Sequence, residues 1–352
     1  MTRARAKINL WLKVVGKRAD GYHLLDSLVA FADLGDTLDA APADTLSLAV
    51  DGPQSGSIAA ESDNLVLKAA RALAASAGVA PHAALRLTKN IPVAAGLGGG
   101  SADAAAALRA LIDLWRVAMP DERLFDLAGT LGADVPMCLA GRTAVASGIG
   151  DRLAPAPTLP SCGLLLVNHG VALATKDVFA RWQAGFSRSL PVEQAWSSLG
   201  DFAAALGARG NDLTEAAVAL QPVVADVLAV LEKSDGVRYA AMSGSVAIWA
   251  AMVTASASAT ARRTRESLSP RSLRSRAGDS TRRPPVAATD RAKPHDLASH
   301  GSTIIRASTA TLRCLRPRCR SAALPTAANP TNPIAEARST LGSARQTMMK
   351  TA

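Results

Sequence analysis

Residues 92–103 read Pro-Val-Ala-Ala-Gly-Leu-Gly-Gly-Gly-Ser-Ala-Asp and lead directly into an alanine-rich helical run. Four of the five positions from 96 to 100 are glycine. Glycine permits backbone dihedrals closed to other residues and lets another group approach without a Cβ in the way. A helix opening near Ser101 adds unpaired backbone N–H groups and the positive end of a dipole. Loop and helix together make a cradle for an anion, and a nucleoside triphosphate fits that description. The string lacks the Lys-Ser/Thr pair of the common phosphate loop, and it is not the G-x-G-x-x-G of a dinucleotide-binding unit. A flexible strand-to-helix turn would have the same composition, so the neighbouring segments decide between the two.

The chain of 352 residues is long enough for two domains, and its 49% hydrophobic content supports a packed core. Its charge is unevenly spread. Residues 255–352 hold 18 of the 39 Lys and Arg but only 5 of the 29 Asp and Glu, so a mildly acidic body precedes a basic tail. That tail has no Phe, Trp or Tyr and no sustained period. Such a composition does not bury enough apolar surface to offset its ordering entropy, and a disordered basic segment over 253–352 is expected. No apolar run reaches the length of a membrane span, and residues 1–7 lack the apolar stretch of a signal peptide. A cytoplasmic protein without membrane association is expected. Cys138, Cys162, Cys314 and Cys319 show no metal-ligand spacing, which predicts free thiols and no bound metal on cysteine.

Residues 4–15 alternate, with Ala4, Ala6, Ile8, Leu10, Leu12 and Val14 on one face and Arg5, Lys7, Asn9, Trp11 and Lys13 on the other. Period two predicts a half-buried strand. A polar turn over 16–21 leads to Tyr22 and His23, and residues 24–34 form a second extended stretch. Helices are predicted over 64–77, with Asp63 as cap and Gly78 as stop, and over 101–115, 122–131, 175–183, 212–220 and 222–233. Strands are predicted over 83–88, 142–147, 163–167 and 237–242. Asp134 falls between a helix stop at Gly132 and Pro136, on a restrained connection. Taken alone, Asp134 reads as a turn residue and Lys7 as a solvated strand lysine. Cys138 and His169 read as a core thiol and a loop histidine.

Four segments change that when taken together: Ala6-Lys7-Ile8-Asn9-Leu10, Asp20-Gly21-Tyr22-His23, the loop over 92–101, and Gly132-Ala133-Asp134-Val135-Pro136. In this order and spacing the chain resembles the GHMP kinases over residues 4–245. The resemblance implies an α+β fold of two domains. Residues 1–155 would be an ATP-binding domain like domain 2 of ribosomal protein S5. Residues 156–252 would be a truncated ferredoxin-like domain, with the active site in the cleft between them.

The same resemblance implies ATP with Mg²⁺ as phosphoryl donor. The first two segments imply a cytidine-diphosphate-linked methylerythritol as acceptor, phosphorylated on its 2-hydroxyl. Asp134 would take the hydroxyl proton, and Lys7 would orient the alcohol and keep Asp134 ionised. Pro92, Val93, Ala94, Ala95, Gly96, Leu97, Gly98, Gly99, Gly100, Ser101 and Ala102 would hold the ATP phosphates, with Asn64 and Lys89 near the adenosine. Asn9, Tyr22, His23 and Thr175 would hold the acceptor, its cytosine stacked on Tyr22 and its base edge bonded to His23. No dedicated carboxylate cage for a metal is visible. A kinase for another small alcohol, or an inactive nucleotide-binding fragment, would share the glycine loop.

The resemblance breaks after Met242-Ser243-Gly244-Ser245, where Val246 stands in place of an expected glycine. The helix and closing strand expected next are not evident in the sequence. A shift of reading frame near Ser245 would account for both the lost pattern and the basic tail. Sequencing the gene across this point in independent clones tests that, and an intact frame would refute it. An authentic tail of this charge would instead contact nucleic acid through phosphates.

Overall fold

The computed structural model describes residues 1–56, 64–93, 95–168, 171, 173–192, 195–245, 248–253 and 306–312. Ala94, Asp63, His169 and Val246, and the tail apart from Val253 and 306–312, lie outside the described residues.

Strand β1 (Thr2–Lys17) pairs antiparallel with β2 (His23–Ala41) across the turn that carries Tyr22. Beyond β2 lie β4 (Ala84–Thr88) and then β3 (Ser47–Asp51), while β5 (Ala144–Gly148) and β6 (Arg152–Pro155) extend the other end of β2. Helices α1 (Leu65–Ala77), α2 (Gly99–Trp115), α3 (Asp121–Leu131) and α4 (Val135–Ala140) pack beside this sheet. The alanine run of α2 lets the helix axis come close, and Ala102 and Ala104 to Ala107 are all buried.

The second half contributes β7 (Cys162–Asn168), α5 (Thr175–Arg181), α6 (Leu199–Arg209), α7 (Thr214–Leu220), α8 (Val223–Glu232), β8 (Val237–Met242) and β9 (Ile248–Val253). Strand β9 lies between β7 and β8. On the other side of β7 lies β10 (Arg306–Leu312), antiparallel to β7 through seven register pairs. This differs from the expectation for the tail at those seven positions. The segment carries β-branched Thr309 and Thr311, and β7 offers an edge of unpaired backbone groups to it. Leu312 pairs in turn with Ala32 of β2 and joins the two sheets.

Buried side chains form three clusters. One draws only on residues up to 146, and another joins Leu12 and Val14 to the second half. The third packs Ile8, Leu10 and Trp11 against Leu164, Leu166 and Phe202. Two of the three clusters thus draw on residues from both sides of residue 155.

The predicted one-faced burial of β1 needs correction. From Ala6 to Leu12 both faces are buried. The cause is the free edge of β1, which β2 does not cover. Register shifts at Arg5/Lys7 and Asn9/Trp11 break the ladder. The N–H of Lys7 donates to Leu97 O at 2.9 Å, that of Asn9 to Ser243 Oγ at 3.1 Å, and that of Leu12 to Gly210 O at 3.0 Å. Three loops remote in sequence thus seal one strand, and the site is built along that seal. A second correction concerns α1, whose cap is Asn64: its Oδ1 accepts from Val66 N at 2.9 Å. Gly78 ends α1 in the left-handed region, φ 68°, as expected.

Candidate active site

Lys7 sits where β1 meets the glycine loop. Its Nζ donates to Asp134 Oδ2 at 2.8 Å, although the two residues are 127 positions apart. The Lys7 side chain is only 9% exposed, while that of Asp134 is 39% exposed and opens onto a cavity. Asp134 is held at the start of α4, where Cys138 N donates to its carbonyl. Pro136 lies in the first turn of α4, where its missing N–H costs nothing.

The loop closes over Lys7. Gly96 and Gly98 have φ of 66° and 63°, which side chains rarely adopt. A Cβ on Gly98 would stand 3.3 Å from Lys7 Cβ. Gly98 also caps α2, so the helix N-terminus and its free N–H groups start beside the Lys7–Asp134 pair.

A cavity of about 1410 Å³ runs along the sealed edge of β1, large enough for a nucleotide and a second substrate. It is lined by Asn64, Pro92, Val93, Gly99, Gly100 and Ser101. Lys7, Asp134 and Asn9 line it too, as do Tyr22, His23 and Thr175 of the acceptor set. Ala95, Gly96 and Gly98 complete the loop's share of the wall. Leu97 and Ala102, expected among the phosphate-holding residues, have their side chains in the core, 1% and 3% exposed. Their backbones are engaged within the protein, Leu97 O accepting from Lys7 N and Ala102 N donating to Gly98 O. Lys89 reaches the cavity wall, but its ammonium is turned to Asp36 and Asp103. Asn64 uses its Oδ1 to cap α1.

Asn9 is buried, with its Nδ2 donating to Ser27 Oγ at 2.7 Å. Ser245 Oγ donates to Thr175 Oγ1 at 2.9 Å, and Asn211 Nδ2 reaches both Met242 O and Gly244 O. The segment 243–245 is thus fastened against Asn9 and Thr175 from two sides. His23 stacks on Phe179, with centroids 4.8 Å apart and planes at 19°, and meets Trp182 edge-on. Partial burial and the nearby Lys17 lower the His23 pKa from its ordinary value, so the ring is neutral at neutral pH. Tyr22, 62% exposed, stands at the rim of the turn. Phe179, Trp182, Gly244 and Ser245 also line the cavity and were not among the expected contacts. The spacing of four between Thr175 and Phe179 on α5, which puts both on one face, was the available signal for Phe179. Cys138 is a core thiol as expected, its pKa pushed up to about 12 by burial. No group of three acidic, His or Cys side chains placed to hold a metal occurs among the described residues.

The arrangement of anion cradle, lysine and carboxylate defines a class, a kinase for a small alcohol. Residues 64–142 match the domain described as GHMP kinases N terminal domain. Over 242 residues the chain is 52% identical to 4-diphosphocytidyl-2-C-methyl-D-erythritol kinase of Rhodospirillum rubrum, covering 69% of this chain and 80% of that protein. The protein so described from Paramagnetospirillum magneticum is 53% identical over 242 residues, covering 69% and 85%. A crystal structure of 4-(cytidine 5'-diphospho)-2C-methyl-D-erythritol kinase superposes with TM-score 0.61 at 34% identity, covering 76% of this chain and 94% of that one. A homoserine kinase from Cytophaga hutchinsonii shares the fold alone, with TM-score 0.57 at 16% identity, covering 82% and 89%. The chain belongs to the 4-diphosphocytidyl-2-C-methyl-D-erythritol kinase family.

Proposed function

We propose that this chain transfers the γ-phosphoryl group of ATP to the 2-hydroxyl of 4-diphosphocytidyl-2-C-methyl-D-erythritol, giving the 2-phosphate and ADP, in non-mevalonate isoprenoid synthesis. The observation that carries this reading is the Lys7–Asp134 pair, 2.8 Å apart and pressed against the Gly98 turn of the loop.

Asp134 takes the proton of the attacking hydroxyl as its oxygen bonds to the γ-phosphorus. The bond from that phosphorus to the β–γ bridging oxygen breaks, and its electron pair leaves with ADP. A tertiary alcohol is a poor nucleophile, so position matters more than basicity. Lys7 holds the Asp134 carboxylate in one orientation and places a fixed cation beside the transferring group. Backbone N–H groups from Gly98 to Ser101 receive the phosphates. With no group of three acidic, His or Cys side chains placed to hold a metal among the described residues, the Ser101 hydroxyl would be the protein's contact to a Mg²⁺ carried on the phosphates. Mg²⁺ neutralises phosphate charge when bound.

Tyr22 offers a flat face to a cytosine, and His23, stacked on Phe179, offers a neutral ring to its edge. The water-soluble substrates proposed here support a cytoplasmic setting. An ADP-release assay with the cytidylyl acceptor and with homoserine tests the function. Turnover of homoserine alone would overturn it.

The lowered His23 pKa sets a pH dependence. Acidification charges the ring and places it beside Lys17 as a second cation. The acceptor KM is therefore expected to rise as pH falls below the ordinary 6.5, with the ATP KM flat. His23→Gln should show a raised acceptor KM without that slope, measured by initial rates between pH 5 and 8 (about the range where histidine titrates).

A further inference from the structure

Three charged side chains meet beneath the glycine loop, where a Cβ on Gly99 would stand 3.5 Å from Lys89 Nζ. Lys89 Nζ donates to Asp36 Oδ2 and, at 2.7 Å, to Asp103 Oδ2. Asp36, Lys89 and Asp103 are 0%, 2% and 3% exposed. Asp36 belongs to β2, Lys89 follows β4 directly, and Asp103 is the fifth residue of α2. Burying three charges is expensive, and apolar side chains of similar volume would stabilise a core as well or better. Stability alone therefore does not explain the cluster.

Its connections do. Asp36 Oδ1 accepts from the backbone of Asn90 at 2.5 Å and of Ile91 at 2.8 Å, and Asn90 Nδ2 donates to Gly35 O at 3.1 Å. These bonds fix the chain at the point where it enters the loop. The backbone of Lys89 is itself tied to β3, its N–H donating to Asp51 O and its carbonyl accepting from Gln54 N. At the other end Asp103 anchors α2 just after the loop. Asp103 Oδ1 has no hydrogen-bond partner among the described residues, so this carboxylate is committed to Lys89 through one oxygen. Burial pushes Asp103 up to about 7 against the opposing pull of Lys89.

We infer that Asp36, Lys89 and Asp103 are positioning residues for ATP, a clamp that joins the entry of the phosphate loop to its exit and sets the spacing of its N–H donors. The inference rests on the ATP reaction proposed above. Lys89 thereby acts through the loop's shape and not as a contact to adenosine.

The decisive link is Lys89 to Asp103. Asp103→Ala and Asp103→Leu remove it while Asp36 still neutralises Lys89, so neither strands a buried charge. Asp103→Asn keeps an acceptor oxygen for Lys89. Calorimetric titration with ATP, which needs no acceptor, is the primary readout, with circular dichroism melting as the control and initial rates to separate the two KM values. The expected result is ATP binding weakened about tenfold or more in Asp103→Ala and Asp103→Leu, as displaced donors imply. The acceptor KM should stay within about twofold, and Asp103→Asn should restore ATP binding to within about threefold. Unchanged ATP affinity in folded Asp103→Ala or Asp103→Leu would overturn the clamp. Unfolding of both beside a folded Asp103→Asn would assign the cluster to stability and overturn it equally. Absence of ATP binding by the unsubstituted protein would instead overturn the proposed function, and the clamp with it.

Discussion

Asp134→Asn is expected to lower kcat by about 10²–10⁴-fold while the ATP dissociation constant stays within about twofold. The asparagine keeps the shape and still offers an oxygen to Lys7, so the lysine is not left unpaired. It loses the ability to accept the hydroxyl proton. Because the Asp134 side chain is 39% exposed and opens onto the cavity, the fold has little stake in its charge. Lys7→Met should cost a similar factor for a different reason. The carboxylate survives but is no longer held by the 2.8 Å bond, and the transferring group loses a fixed cation. Since the two groups act as one unit, the double variant should be little worse than either single one. Single-turnover rates on the three variants check this. Strictly multiplicative losses would show that the pair does not operate together.

Gly98→Val carries the second large effect. At φ 63° a β-branched residue is held in a region it tolerates badly, at a cost of roughly 1–2 kcal/mol or more. The added Cβ would also press on the Lys7 side chain at 3.3 Å, and the two further methyl carbons crowd it more. Backbone strain and displacement of Lys7 fall on the same atoms that hold the phosphates. A loss of about 100-fold or more in kcat/KM is expected, with the ATP KM raised. Gly129→Ala in α3, away from the cavity, is the control, because a Cβ there meets nothing within 4 Å. Near-normal kinetics in Gly98→Val would show that the loop conformation seen here is not the one that binds ATP.

Much of the frame was legible because local pattern and final structure agree. The alternation of β1, the Gly78 stop of α1 and the alanine run of α2 each announce their element. Short elements were not legible. The strand β3 and the helix α4 span only five and six residues, and β10 lies in a stretch with no period at all, while α6 did carry a signal in its Ser198 cap and Gly210 stop. The burial of both faces of β1 was hidden for another reason, since it depends on loops ninety to more than two hundred residues downstream. The same distinction separates the site residues. Lys7 and Asp134 were found through a family pattern, and the geometry brings them together. Phe179 and Trp182 escaped because an aromatic on an amphipathic helix reads as core. Asp36 and Asp103 escaped because a buried carboxylate cannot be told from a solvated one until its lysine is placed.

The unpaired edge of β1 sets the order in which this protein becomes competent. Asn9 waits for Ser243, which lies 234 residues later in the chain. At about 5–20 residues per second of synthesis, that interval is roughly 12–47 s. Over that interval the donors of this edge close in turn, Lys7 once Leu97 is made, Leu12 once Gly210 is made and Asn9 last. Catalytic competence and full protection from aggregation thus arrive together, late, when the last loop docks.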